Sequence, residues 1–142
     1  MDSPAFPTPQ DAEAAFYVAF EKADLEAMMA VWSDDEDIVC IHPMGPRLHG
    51  YPAVRQGWQR LFAGDGRMRF QLSAAQRFQS PLLAVHVVQE NILLGGNPKP
   101  QPPLVATNIY QLTGRGWRMI LHHASPSPGA PQGTPPRPNV LH

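Results

Sequence analysis

Apolar residues recur at helical spacing in the first part of the chain and at strand spacing in most of the rest. Ala12, Ala15, Phe16, Ala19, Phe20 and Ala23 make one stripe with a helical period, so a helix is predicted to begin near Thr8. Thr8 with Asp11 resembles a capping box, and Pro9 suits the first helical position. Phe16 lies in the middle of the stripe and Tyr17 on its flank. Asp24 caps a short second helix, Leu25 to Trp32. Four acids, Asp34 to Asp37, then stop abruptly. Ile38-Val39-Cys40-Ile41-His42 follows as a strand covered on both faces, ended by Pro43. After a loop over Pro43–Gly50, a third helix runs from about Pro52 to Phe62, with Val54, Trp58, Leu61 and Phe62 on one side. Met68–Phe78, Leu82–Leu94, Leu104–Leu112 and Trp117–Ala124 read as strands, the last two joined by the turn Thr113-Gly114-Arg115-Gly116. Helices first and a meander of antiparallel strands after them predict an α+β domain, with helices packed on one face of a curved sheet.

Composition sharpens this picture. A chain of 142 residues is one domain with a real core. The net charge of −1 hides a split: residues 1–65 carry eleven acids and four bases, residues 66–142 one acid, Glu90, and seven bases. The two halves should therefore attract each other, or their copies in a dimer should. No Lys/Arg cluster marks a nucleic-acid partner. One cysteine, Cys40, excludes an internal disulfide. No signal-like segment opens the chain and no apolar run reaches spanning length, so no membrane partner is expected and a cytoplasmic location is the default. Thirteen of the 17 prolines lie before residue 10, in residues 97–103 and from Pro126 onward. The expected organisation is an N-terminal extension at 1–9, a folded domain at 10–125 and a disordered proline-rich tail at 126–142.

Few residues carry candidate chemistry. His42 ends a buried strand and titrates near neutral pH; it is either a satisfied core histidine or the polar floor of a pocket. By the two-residue period, Asn108, Tyr110 and Leu112 share one face. His122 and His123 are neighbours and point to opposite faces. The face of Trp117, Met119 and Leu121 is the more apolar, which puts His123 inside and His122 outside. Glu90 shares a face with His86. Pointing inward they would make an acid/base dyad; the greasier Val85/Val87 face argues that they point outward. Cys40, His42 and His123 do not match a zinc spacing, so no metal is expected. No phosphate loop or nucleophile elbow is present.

Several local patterns occur in a telling order: Asp24-Leu25, Trp32-Ser33-Asp34-Asp35, His42-Pro43, Gly50 with Ala53-Val54-Arg55, and Thr107-Asn108-Ile109-Tyr110 paired with Gly116-Trp117-Arg118-Met119-Ile120-Leu121-His122-His123-Ala124-Ser125. Over roughly residues 10–126 the chain resembles the SnoaL-like branch of the NTF2-like superfamily, whose members include steroid isomerases, polyketide cyclases, dehydratases and the association domain of the calmodulin-dependent kinase. The resemblance implies a cone: a strongly bent sheet around three helices, a pocket between them, and an outer sheet face that dimerises. It places His42 where similar ketosteroid isomerases have their carboxylate base. Their oxyanion-holding tyrosine falls at Phe16, with Tyr17 next door, and their second acidic donor at Asn108. Phe16, Phe20, Met28, Trp32, Trp58, Tyr110 and His123 are the expected ligand-lining residues.

Two functions stand open, because fold does not settle function. One is a pocket binding a small hydrophobic carbonyl compound, with cofactor-free proton transfer by His42 and an oxygen oriented by Asn108 and Tyr17. The other is a non-catalytic homodimeric binding or association module. Polar groups converging on a cavity favour the first; a cavity filled by Trp58 and Phe16 favours the second.

Overall fold

Local signals start each helix. In the computed structural model, which describes residues 5–64, 66–95 and 101–127, helix α1 (Pro9–Lys22) is capped by Thr8, whose side chain accepts from the Asp11 N–H at 3.1 Å. It ends where Ala23 turns left-handed at φ 51°. Asp24 then caps α2 (Leu25–Val31) by accepting from the Ala27 N–H at 3.0 Å. Helix α3 (Tyr51–Phe62) follows Gly50, whose φ of 90° suits a residue without a Cβ. None of these helices is long and apolar enough to cross a membrane.

Six strands form one sheet: β1 (Val39–Ile41), β2 (Arg47–His49), β3 (Met68–Gln79), β4 (Leu83–Leu94), β5 (Leu104–Thr113) and β6 (Gly116–Pro126). Their order is β2-β1-β6-β5-β4-β3, antiparallel except for the parallel pair β1–β6. The three helices pack against this sheet in the expected α+β cone. The expected loop at 43–50 holds a strand, β2. The chain reverses through a turn in which the Gly45 N–H donates to the His42 carbonyl at 2.8 Å, then pairs back on β1. Three residues after a proline show no periodicity, so the strand is formed by its partner and not by its own pattern.

One extra residue in β6 changes which histidine is inside. Tyr110 pairs with Met119 while Ile109 pairs with Leu121, leaving Ile120 as a bulge. The alternation slips by one. Trp117 and Met119 face the core before the bulge, and His122 and Ala124 after it. His122 is therefore buried and His123 exposed, the reverse of the expectation from strict alternation.

The strand registers align side chains into rows. On the inner face Arg77, His86, Asn108, His122 and Cys40 lie side by side across five strands. On the outer face the adjacent row is Phe78, Val85, Ile109, Leu121 and Val39. One polar row thus crosses the inner face, and one apolar row beside it crosses the outer face.

The ends are tied into this body where they are described. Phe6 bridges to Gly116, and the Trp117 N–H donates to the Phe6 carbonyl at 2.9 Å. Gly116, at φ 88°, is needed there: a Cβ would sit 2.8 Å from the Phe6 backbone. Pro126 closes β6 and the Ser127 N–H donates to the Pro103 carbonyl at 3.0 Å. The rest of the expected tail, 128–142, and residues 96–100 of the proline-rich turn lie outside the described residues. Opposite charges of the two halves meet in Arg77–Glu13 at 2.7 Å and Arg115–Asp34 at 3.8 Å.

Candidate functional site

Two polar contacts clamp α1 to β4. Glu13 and Tyr17 are one helical turn apart, so both face the same way. His86 and Glu90 share the inner face of β4. Glu13 Oε2 lies 2.5 Å from His86 Nδ1, and the Tyr17 hydroxyl donates to Glu90 Oε2 at 2.6 Å. His86 and Glu90 therefore point inward, against expectation, and each pairs with the helix and not with the other. The Val85/Val87 face is greasier because it is the outer apolar face.

A line of hydrogen bonds continues from Glu90. Asn108 donates its amide to the Tyr17 oxygen at 3.0 Å. Its carbonyl lies 2.6 Å from His122 Nδ1, which must carry the hydrogen because Oδ1 can only accept. Glu90, Tyr17, Asn108 and His122 thus form one directed chain through the core. Burial sets its electrostatics. It pushes the Glu90 carboxyl up to about 7, and the Tyr17 bond only partly offsets this. Burial drives the His122 imidazole down to about 3, helped by nearby His42 and His123, so it stays neutral. Burial, the Glu90 charge and the Glu90 bond raise the Tyr17 hydroxyl well above the usual tyrosine range, which keeps it a donor.

His42 lies apart from this chain. Its ring stacks edge-on against Trp58 at 4.6 Å and is 6.2 Å from the His122 ring. Its Nε2 is 3.6 Å from Cys40 Sγ, and burial lowers its pKa. His42, Tyr17 and Asn108, the three expected catalytic residues, do not all meet. Tyr17 and Asn108 touch, and His42 approaches them only through His122.

The expected lining residues divide into four groups. Phe16, Phe20 and Trp58 interlock, with ring centroids 5.6 Å apart for Phe16–Trp58 and 4.8 Å for Phe20–Trp58, and Phe62 and Phe70 extend the cluster. Met28 is fully buried in the same core. Trp32 pairs with Met119 and lines a different, shallow depression with Tyr51, Ser33 and Arg115. Tyr110 packs on His86 at 4.9 Å. His123 faces outward, so it cannot join Cys40 and His42, and no metal-binding cluster forms among the described residues. At the mouth of the cone a hollow of about 170 Å³ ends on Phe20, Leu61, Phe62 and Met68.

Sequence reasoning missed two things. Tyr17 lies on the flank of the apolar stripe yet is buried like the middle of it, because the sheet covers that flank as well. Glu13 was not singled out, although its spacing of four from Tyr17 on a half-apolar helix was a usable signal. We expect Tyr17→Phe to lower stability by about 1–3 kcal/mol, because Glu90 and Asn108 each lose a buried partner. Denaturant titration checks this, and an unchanged midpoint would show that the chain of bonds adds nothing.

Sequence and structure comparisons agree on the family. The model of the SnoaL-like domain matches residues 10–129. This chain belongs to the SnoaL-like family. It is similar to a proposed calcium/calmodulin-dependent protein kinase type II association domain from Thiobacillus denitrificans, at 44% identity and TM-score 0.83, over 87% of this chain and 98% of that one. It is also similar to a proposed dehydratase of the NTF2-like family from Streptomyces avermitilis, at 32% identity and TM-score 0.74, over 83% and 92% of the two chains. Among curated proteins it matches the F-box protein SKIP8 of Arabidopsis thaliana at 26% identity over 110 residues. That match covers 78% of this chain and 46% of the F-box protein, so the chain spans about half of that relative's length.

Proposed function

We propose that this domain is a homodimeric association module that pairs through the convex face of its sheet. The observation that carries the reading is the outer apolar row Phe78, Val85, Ile109, Leu121 and Val39, in register across five strands. Phe78 is 60% exposed, and beside the row Val105 is 37% exposed. A contiguous apolar stripe of this breadth is normally covered by a partner. An identical stripe on a second copy fits it through a two-fold axis. The similarity to a proposed association domain supports the same reading. So does an interior occupied by interlocked rings. Sedimentation at micromolar concentration is expected to give twice the chain mass; a monomer at that concentration overturns the reading.

A second reading has its own support. Glu90, buried and titrating near neutrality beside the Tyr17 hydroxyl and the Asn108 amide, has the make-up of a proton-transfer site for a small hydrophobic carbonyl compound. The expected result is Glu90-dependent exchange of α-protons of a cyclic ketone into deuterated water. Equal exchange by wild type and Glu90→Gln would remove this activity from the domain. His42→Ala separates its roles in the same assay. Loss of exchange at unchanged melting temperature makes His42 a site residue. A lower melting temperature with exchange retained makes it a packing residue against Trp58.

A further inference from the structure

One polar cluster is used by neither reading. At the β3 end of the inner row, Arg77 grips Glu13 with two nitrogens, Nη2 to Oε1 at 2.7 Å and Nε to Oε2 at 3.3 Å. The other side of the Glu13 carboxylate meets His86 Nδ1. Burial alone would raise the Glu13 carboxyl, but the His86 and Arg77 bonds overcome it and hold the group below the usual range. An ionised carboxylate only accepts, so His86 Nδ1 carries a hydrogen, and in the neutral ring Nε2 is the bare acceptor. This is the arrangement by which a carboxylate fixes the tautomer of a histidine base.

Nε2 has no partner among the described residues, and neither has the Tyr110 hydroxyl. Both side chains are fully buried, and their rings are 4.9 Å apart. The strand registers explain the proximity: His86 pairs with Asn108 and Ala84 with Tyr110, so the two rings are diagonal neighbours on one face. Burial and the Glu13 charge keep the Tyr110 hydroxyl protonated, so it is a donor. With the ring neutral, an acceptor and an unused donor lie buried side by side, and they suit an oxygen that carries a hydrogen and also accepts one.

We propose that Glu13, His86 and Tyr110 form a binding site for the hydroxyl group of a small molecule, a phenol, enol or alcohol, in which His86 Nε2 accepts the hydroxyl proton and the Tyr110 hydroxyl donates to the same oxygen. When the proton moves, the ligand O–H bond breaks and an N–H bond forms on Nε2. The oxygen keeps the electron pair and takes the Tyr110 hydrogen bond, and the imidazolium is balanced by Glu13. Arg77, whose side chain is 39% exposed on the edge strand, is the outer end of the cluster.

The test uses the full chain and 4-fluorophenol, whose fluorine resonance reports both binding and ionisation. Saturable binding with a shift toward the phenolate is expected. Tyr110→Phe removes a hydroxyl without a protein partner, so its melting temperature should be unchanged or higher while affinity falls at least about tenfold. Glu13→Gln should keep binding but return the fluorine shift toward the neutral phenol. Val18→Ala, on the exposed side of α1, is the surface control and should bind as wild type does. The proposal is overturned by absent saturation or by equal affinity in Tyr110→Phe. It is overturned equally by a lower melting temperature of Tyr110→Phe without probe binding, which would assign the two atoms to a structural water.

Discussion

Ile109→Glu is expected to abolish the proposed dimer and leave a monomer. Ile109 is the middle of the outer row, flanked in register by Val85 and Leu121. In an isologous pair the two copies meet near the axis, so one substitution places two carboxylates in one apolar contact. An uncompensated charge buried in this way costs about 3 kcal/mol or more, roughly a hundredfold or greater in the dissociation constant. Fold should survive, because this side chain is only half-buried within the chain itself. Sedimentation at a fixed concentration, with circular dichroism as the fold control, reads the outcome. A dimer that persists undisturbed would move the interface to another face.

Glu90→Gln is expected to make the protein more stable at pH 8 and little changed at pH 4. Burial raises the folded carboxyl from 4.5 to about 7. The folded state therefore holds a proton that the unfolded chain releases. The stability this confers is complete below about pH 4.5 and is lost as pH rises through about 7. The shift corresponds to about 3 kcal/mol between those limits. Glutamine keeps an acceptor for the Tyr17 hydroxyl and removes the titration, so the variant should lack that slope. Urea titrations of both proteins at several pH values measure it. Parallel stability profiles for the two would mean that Glu90 is ionised at little cost, and would weaken its candidacy for proton transfer.

Much of the fold was legible because its signals are local. The stripe from Ala12 to Ala23, the caps at Thr8 and Asp24 and the hairpin turn before Trp117 each act within a few residues, and the elements formed where they point. Strand β2 was not legible. Arg47-Leu48-His49 has no pattern of its own and exists because β1 offers an edge.

The candidate site was legible in part. The residue types that make it were readable, since Glu90 stood out as the single acid after Asp65 and His42 as the end of a buried run. Their orientation was not. The Ile120 bulge moved His122 inward and His123 outward, and a bulge is a property of the β5–β6 register, not of β6 alone. His86 and Glu90 turned inward because α1 supplies Glu13 and Tyr17 as partners from more than seventy residues away. Without those partners, burying both would cost more than burying Val85 and Val87 gains. The sequence by itself determined the elements other than β2, their order and the SnoaL-like family, since these follow from short-range periodicity, caps and motif spacing. Only the tertiary structure decided which polar groups share the interior, because a buried charge is tolerated only where a distant part of the chain brings its partner.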